Sequence, residues 1–186
     1  SNPALIIPLL DFATEKNIPV VICTTGFLDD QITEIKKASL KIPIFFSGNT
    51  SIGINLLIEL SKKALSVLGD EFDIEIIEKH HNQKVDAPSG TALMIANALK
   101  NQMKKEPNFV FDRHTSRKPR EKNEIGIHSI RAGSITGEHE IIFAGNNEAI
   151  TINHCAQSKK IFATGAINAA LFLKDKKKKL YMLIIS

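Results

Sequence analysis

The sequence predicts an α/β protein that combines a parallel-sheet domain with an α+β domain built on a mixed sheet. The first fifty residues alternate helical segments with short apolar strands, as parallel strands joined by crossover helices require. Later, three long strand-like runs follow one another across short turns, which favours antiparallel neighbours. The composition, with 43% hydrophobic and 24% charged residues, is typical of a globular protein.

Apolar residues at helical spacing and short apolar runs define the elements of the first half of the chain. Helices are predicted for 4–17, 29–39 and 51–68, and strands for 19–23 and 42–46. Pro8 is expected to make the first helix irregular. Because a helix connects the two strands, we expect them to pair in parallel.

The second half opens with a strand in which acidic and branched apolar residues alternate, as in a partly buried strand. Its predicted elements are a strand at 72–78, a loop at 79–87, a helix at 91–105, a basic surface loop at 107–123, strands at 125–131, 138–144 and 149–155, and a helix at 160–174.

The segment from Glu78 to Ala92 concentrates residues that can carry chemistry. His80, His81 and Lys84 lie at the carboxyl end of a predicted strand, where open α/β sheets place their ligands. Ser89-Gly90-Thr91 opens the next helix, whose first backbone N–H groups lack intrahelical partners and favour an anion. Proton donors beside an anion site suit an enzyme that acts on a small carboxylate.

Each of these residues also has a simpler interpretation. Ser89 or Thr91 can serve only as a helix cap, and a loop histidine or Lys84 can be an ordinary solvated side chain. An unrelated carboxylate-binding module is therefore an alternative to an enzyme. A zinc site is not expected, because adjacent histidines diverge on an extended chain and paired cysteines are absent.

The segment closely resembles the signature of the dihydrodipicolinate reductase (4-hydroxy-tetrahydrodipicolinate reductase) family, NAD(P)H-dependent enzymes of lysine biosynthesis. Residues 23–27 are similar to the family's Gly-Thr-Thr-Gly-Phe turn, and residues 49–53 resemble its Asn-Phe-Ser-x-Gly segment. Further matches are Arg131-Ala132-Gly133, Gly137-Glu138-His139, and His154 with Ala156 and Ser158. The resemblance covers nearly the whole chain.

The resemblance implies a role for each matching residue. His80 matches the family's catalytic histidine, a proton donor or acceptor, and Lys84 matches the lysine that donates a proton to the substrate. The implied substrate-binding residues are His81, Ser89, Gly90 and Thr91. The implied cofactor-binding residues are Cys23, Thr24, Thr25, Ser47, Gly48, Asn49 and Thr50. No metal is implied.

The implied reaction transfers a hydride from NADH or NADPH to C4 of a dicarboxylated, partly unsaturated nitrogen ring, and the adjacent carbon is protonated. A cofactor is needed because no side chain can supply a hydride. The two ring carboxylates need donors at opposite ends of the ring. The helix terminus can bind one of them, and His81 with Lys84 can bind the other.

The resemblance also implies a domain organisation. Residues 1–50 and 160–186 would form the remnant of a dinucleotide-binding domain, and residues 51–159 a substrate-binding and tetramerisation domain. The G-x-G-x-x-G fingerprint is absent, so we expect a truncated Rossmann-type parallel sheet domain that lacks its N-terminal part, beside the α+β domain. A non-catalytic fragment that keeps only the substrate and assembly domain is the second hypothesis.

The expected partners are a small dicarboxylate heterocycle and further copies of the chain in a homotetramer. The basic loop is expected to be solvated and not to bind nucleic acid, because aromatic residues do not alternate with its charges. No apolar run is long enough to span a membrane. Cys23 and Cys155 are predicted to be buried, reduced thiols of a cytoplasmic protein.

Four features depart from the family pattern. Cys23, Thr50 and Lys159 replace a glycine, a larger apolar residue and an arginine, and residues 180–186 do not follow the family ending.

Overall fold

The computed structural model describes residues 2–182 and divides the chain into two compact units. Unit 1 comprises Ser1–Asn55 and Lys160–Ser186, and unit 2 comprises Leu56–Lys159. Among the described residues, unit 1 contains a parallel β-sheet and unit 2 contains a mixed β-sheet. The predicted α/β class is therefore confirmed. The predicted roles, cofactor binding for residues 1–50 with 160–186 and substrate binding with tetramerisation for residues 51–159, stay predictions. Residue 1 and most of the atypical tail, 183–186, lie outside the described residues.

The helices and strands follow the predicted order. The helices are α1 (Ile6–Lys16), α2 (Asp29–Ser39), α3 (Ile52–Leu68), α4 (Gly90–Lys100) and α5 (Lys160–Leu173). The strands are β1 (Val20–Ile22), β2 (Ile44–Phe46), β3 (Asp73–His80), β4 (Asn108–Val110), β5 (Glu124–Arg131), β6 (Glu138–Gly145), β7 (Glu148–Cys155) and β8 (Leu180–Tyr181). Short 3₁₀ turns at Pro3–Leu5 and Gly69–Glu71 precede α1 and β3.

Unit 1 contains a three-stranded parallel sheet in the order β1-β2-β8. Its core is formed by buried apolar residues of α1, α2 and the strands, among them Ile6, Leu10, Ile35 and Ile44. The irregularity expected at Pro8 is absent, because α1 continues through this residue. Pro8 lies in the first helical turn, where its missing N–H would have had no intrahelical partner.

Unit 2 contains a five-stranded mixed sheet in the order β4-β5-β3-β6-β7. The central strand β3 is parallel to β5 and antiparallel to β6. Helix α4 packs on β3 and β5 and buries its apolar side against the sheet. The buried residues of this interface are Ile74, Ile76, Ile125, Ile127, Ile141 and Phe143 of the sheet and Ala92, Ile95, Ala96 and Leu99 of the helix. Unit 2 therefore has a core of its own.

Several predicted boundaries are wrong. Lys79 and His80 belong to β3 and not to the following loop, because both residues pair with β5. Helix α4 ends at Lys100, five residues early, since the next residues are mostly polar and have little apolar surface to bury. The predicted loop at 107–123 contains β4, whose short apolar run pairs with β5 at the sheet edge.

Cys23 and Cys155 are free thiols, but both are exposed, so their predicted burial is wrong. Cys23 lies in the loop just after β1, and Cys155 is the last residue of the edge strand β7. Among residues 2–182, no helix combines the length and the apolar character that crossing a membrane requires.

The face of the mixed sheet that turns away from α4 carries an ionic network centred on Glu75. The Glu75 carboxylate accepts hydrogen bonds from Arg113 Nη2 at 2.9 Å and Arg120 Nε at 3.1 Å, and it lies 2.7 Å from His128 Nε2. Burial alone would raise the pKa of Glu75, but these bonds lower it. Arg113 and Arg120 therefore fold back onto the sheet, and the basic loop is not simply solvated.

Gly126 lies opposite Glu75 in the neighbouring strand β5 and leaves room for its carboxylate. A Cβ atom at position 126 would come within 1.7 Å of Glu75 Oε2. We expect Gly126→Ala to lower the free energy of unfolding by about 1–3 kcal/mol, because Glu75 must leave its charged partners. Urea denaturation measures this change.

The control is the same substitution in a Glu75→Ala background. There Gly126→Ala should cost far less, since the carboxylate that it displaces is gone. Equal costs in the two backgrounds would contradict this explanation.

Candidate active site

The candidate site lies at the carboxyl end of β3, on the face that α4 covers. Four neighbouring strands each contribute one polar residue to a row that crosses the sheet there. These residues are Ser129 of β5, Glu78 of β3, His139 of β6 and His154 of β7. Glu78 is in phase with the buried residues Ile74 and Ile76, so the alternation of β3 carries a carboxylate into the sheet–helix interface.

Glu78 is fully buried and has a hydrogen-bond partner on every side. Arg131 binds it through two parallel bonds, Nη1 to Oε2 at 2.9 Å and Nη2 to Oε1 at 2.6 Å. The backbone N–H of Ser89 donates to Oε1 at 3.1 Å, and His80 Nδ1 lies 2.5 Å from Oε2. Burial would raise the pKa of Glu78, but hydrogen bonds with His80, Arg131 and Ser129 hold this pKa well below its usual range. Glu78, His80, Ser89 and Arg131 are referred to below as the Glu78 cluster.

The ring of His80 is held between the Glu78 carboxylate and two residues of the neighbouring chain segment. It packs edge-to-face on His139, with 5.3 Å between the ring centroids. Its Nε2 atom faces Gly137, where a Cβ would approach to 3.1 Å. Only 12% of the His80 side chain is exposed. The ring is thus fixed in place by contacts on several sides.

The first turn of α4 is anchored by Ser89. Its hydroxyl oxygen accepts a hydrogen bond from Ala92 N at 3.2 Å and lies 3.2 Å from His139 Nε2. Ser89 is therefore a buried helix cap, as its simpler interpretation predicted. Gly90 is exposed, and no atom other than those of its two chain neighbours and of its own helix backbone lies within 4 Å of the position that its Cβ would occupy. This leaves room for a ligand beside the helix N-terminus, next to the half-buried Thr91.

The loop after β3 places Lys84 on an acidic neighbour. Lys84 Nζ lies 2.7 Å from Asp86 Oδ1. Burial would raise the pKa of Asp86, but Lys84 lowers it. The backbone oxygen of Asp86 accepts a bond from Arg131 Nη2 at 2.6 Å, which ties this loop to the Glu78 cluster. The half-buried His81 accepts a turn bond through its backbone oxygen from Lys84 N at 3.1 Å.

In unit 1, two predicted cofactor segments meet at one edge of the parallel sheet. Residues 23–25 follow β1 and residues 47–50 follow β2, and Ser47 N donates to Ile22 O at 3.1 Å. Thr25 Cγ2 lies 3.4 Å from the position of a Cβ on Gly48. Thr24 and Ser47 are half-buried, whereas Cys23, Thr25 and Gly48 are exposed. The exposed groups at the carboxyl edge of parallel strands fit a nucleotide cofactor.

The last two predicted cofactor residues are buried. Thr50 donates its hydroxyl hydrogen to Phe162 O at 2.9 Å, and Asn49 Oδ1 accepts a bond from Ser51 N at 2.8 Å. A Cβ on Gly165 would lie 2.1 Å from Thr50 O, so α5 packs closely on this turn. Asn49 and Thr50 thus hold the turn against the helices that follow it.

The main residues that the sequence analysis left without a chemical role are Glu78 and Arg131. A signal was present, because an acidic residue in phase with two buried isoleucines has to find a cationic partner. The partner itself lies more than fifty positions away along the chain, on a strand that is adjacent only in the folded sheet. Among the described residues, no group of three or more side chains is arranged to hold a metal ion.

The burial of His139 has a consequence for stability. Burial, together with the electrostatic effect of the neighbouring His80, lowers the pKa of His139 from its ordinary 6.5 to about 3. Between these two values the unfolded chain binds a proton that the folded chain does not. We therefore expect the free energy of unfolding to fall as pH decreases below 6.5, by up to about 1.4 kcal/mol per pH unit from this group.

Urea denaturation at several pH values between 7 and 5 measures this slope. His139→Gln should flatten it, and His114→Gln, which changes an exposed histidine, is the control. A slope that is the same in the His139→Gln variant and in the unsubstituted chain would contradict this assignment.

Comparisons with known proteins place the chain in a family. The model for the N-terminal part of dihydrodipicolinate reductase matches residues 1–50, and the model for its C-terminal part matches residues 53–184. The 4-hydroxy-tetrahydrodipicolinate reductase of Caldanaerobacter subterraneus subsp. tengcongensis is 53% identical over 173 residues, which are 93% of this chain and 68% of that protein. The enzyme of the same name from Clostridium novyi is 49% identical over 181 residues, which are 97% of this chain and 71% of the relative.

A solved structure agrees with these relatives. The dipicolinate-bound dihydrodipicolinate reductase from Paenisporosarcina sp. TG-14 is 28% identical, with a TM-score of 0.72. The match covers 98% of this chain and 69% of that protein. The chain therefore belongs to the dihydrodipicolinate reductase family, whose members are nicotinamide-dependent oxidoreductases of lysine biosynthesis.

Proposed function

We propose that this chain converts 4-hydroxy-tetrahydrodipicolinate to tetrahydrodipicolinate by loss of the 4-hydroxyl as water and reduction of the resulting dihydrodipicolinate, with NADH or NADPH as the hydride donor and with His80 and Lys84 as its catalytic residues. The observation that carries the proposal is the buried Glu78 carboxylate, which holds His80 and the first turn of α4 at adjacent positions. A proton-exchanging group and an anion site thereby lie side by side, as a dicarboxylate substrate requires.

The substrate is proposed to bind with one carboxylate at the first turn of α4 and the other near Lys84. Gly90 and Thr91 would supply donors for the first, since the space beside Gly90 is open. His81 and Lys84 would bind the second. Ser89 contributes less directly than the sequence suggests, because its hydroxyl already contacts Ala92 and His139. A small dicarboxylate agrees with the dipicolinate bound to the Paenisporosarcina relative.

The proposed chemistry needs a proton and a stabilising charge at the carbon adjacent to the one that is reduced. A bound nicotinamide supplies the hydride. The Lys84 ammonium is a compact positive charge that stabilises the developing negative charge and donates the proton. Its contact with Asp86 holds the side chain near the loop, and a substrate carboxylate would compete with Asp86 for it.

The cofactor is proposed to bind at the carboxyl edge of the parallel sheet. The exposed residues Cys23, Thr25 and Gly48 would approach it, with Thr24 and Ser47 beside them. Asn49 and Thr50 would support the turn from behind, since both are buried. The reaction consumes a reduced nicotinamide, so we propose the cytoplasm as the place of action.

A homotetramer is also proposed, formed through the sheet face that turns away from α4. That face carries Ile77, Ile130 and Ile142 next to the Glu75 network, and Ile130 is 43% exposed. Apolar residues on an uncovered sheet face are suited to contact another copy of the chain.

The function is tested by titrating the chain with NADH and NADPH, followed by fluorescence, and with pyridine-2,6-dicarboxylate, followed by calorimetry. We expect both ligand types to bind, and the cofactors to bind in the micromolar range. If the dicarboxylate binds but neither NADH nor NADPH does, the result would favour the non-catalytic fragment. Failure of a folded chain to bind the dicarboxylate would contradict the proposed site.

Substitution of Lys84 tests the proton donor. We expect Lys84→Ala to lower kcat by on the order of 10²-fold and to change cofactor affinity much less, because the lysine acts on the substrate. Oxidation of the reduced cofactor is followed by its absorbance. Lys79→Ala is the matched control, since Lys79 lies nearby on β3 but pairs with Glu138. An unchanged kcat in Lys84→Ala would exclude the proposed role.

Thr91 tests the anion site at the helix terminus. We expect Thr91→Val to raise KM and the Kd of pyridine-2,6-dicarboxylate by about tenfold or more, because a hydrogen bond to a charged group is lost. Thr33→Val, at a helix threonine in unit 1, is the control. Equal affinity of the Thr91→Val variant and the unsubstituted chain would rule out this contact.

A further inference from the structure

We propose that Glu78 is a positioning residue that fixes the tautomer of His80 and, through the same carboxylate, the position of the first turn of α4. This inference rests on the proposed function, in which His80 is a proton donor or acceptor beside Lys84, the residue that protonates the substrate. It assigns a specific task to a residue that the proposed reaction does not otherwise use.

The argument begins with the hydrogen-bond capacity of the Glu78 carboxylate. Its Oε2 faces Arg131 Nη1 and His80 Nδ1, and its Oε1 receives Arg131 Nη2 and the backbone N–H of Ser89. An ionised carboxylate has only acceptor sites. The hydrogen between Glu78 and His80 must therefore belong to the histidine, on Nδ1.

This fixes which nitrogen of His80 is available for chemistry. When the ring is neutral, Nδ1 carries the hydrogen and the lone pair is on Nε2. Nε2 points toward Gly137, where a Cβ would lie only 3.1 Å away. Glycine at this position leaves the space in front of Nε2 free of a side chain. The nitrogen that can accept or donate the catalytic proton is therefore Nε2.

Arg131 has a matching task. A buried carboxylate without a cationic partner would take up a proton and become neutral. A protonated Glu78 could donate to His80 and reverse the tautomer. The two parallel bonds of Arg131 keep Glu78 ionised and hold its plane, which the single ammonium of a lysine would not do.

The same carboxylate couples the histidine to the anion site. Oε1 accepts the N–H of Ser89, the residue that caps α4 and precedes Gly90 and Thr91. Oε1 and Oε2 belong to one rigid group, so the proton-exchanging ring and the helix terminus keep a fixed separation. A purely structural ion pair would stabilise the sheet but would not need a defined histidine tautomer.

The test is nitrogen NMR of the full chain labelled with ¹⁵N-histidine, with the His80 signals assigned by their loss in His80→Gln. We expect the neutral ring to show a protonated Nδ1 and an unprotonated Nε2 in the unsubstituted chain. The double variant Glu78→Leu/Arg131→Met removes both charges together, so no buried charge is left without a partner. In it we expect a mixture of tautomers.

Glu75→Gln is the matched control, because Glu75 is also a β3 glutamate held by arginine and histidine, but on the opposite face of the sheet. It should leave the His80 signals unchanged. A neutral His80 protonated mainly on Nε2 in the unsubstituted chain would overturn the proposal, even where the double variant does not fold. An unaltered tautomer in a folded double variant would do so as well.

An activity measurement separates this inference from the proposed function. In the enzyme supplied with cofactor, Glu78→Gln should lower kcat by at least about tenfold, with little change in the Kd of the cofactor. A chain with the expected tautomer but without turnover would contradict the proposed function and leave the positioning role of Glu78 intact. The expected turnover with the opposite tautomer would overturn the positioning role alone.

Discussion

The ion pair between Glu78 and Arg131 is the interaction on which the rest of the site depends. It is buried between the sheet and α4, and its atoms contact β3, β5, the loop at Asp86 and the helix cap Ser89. Removing one partner of such a pair costs about 3–5 kcal/mol, because the other charge stays buried. Loss of either residue would thus disturb the helix, the loop and His80 at once.

The central strand uses the two-residue period of a β-strand to carry glutamates on both of its faces. Glu75 and Glu78 each bind arginine and contact a histidine, yet one faces the uncovered side of the sheet and the other faces α4. The two glutamates have partners of the same residue types, but they lie on sheet faces that differ in burial. Burial under the helix gives Glu78 its influence on His80, whereas Glu75 organises the basic loop after β4.

Much of the fold could be predicted, because hydrophobic periodicity is a local signal. Helix α2 and strands β5, β6 and β7 follow their predicted limits within one residue. Strands β4 and β8 were missed, since each is only two or three residues long and exists through pairing with a distant strand. The candidate site stays a prediction from its motif, and its charged support was missed, because Arg131 reaches Glu78 only after the sheet has formed.

Unit 1 is assembled from two distant stretches of the chain, whereas unit 2 is continuous. Phe45 of the early stretch packs on Ala169 and Leu173 of α5, and β8 adds the third strand beside β2. During synthesis the contacts of the early stretch with α5 and β8 can therefore form only after these late elements have emerged from the ribosome. The continuous unit can fold in the meantime, so the mixed sheet with its Glu78 cluster is expected to be complete before the parallel sheet.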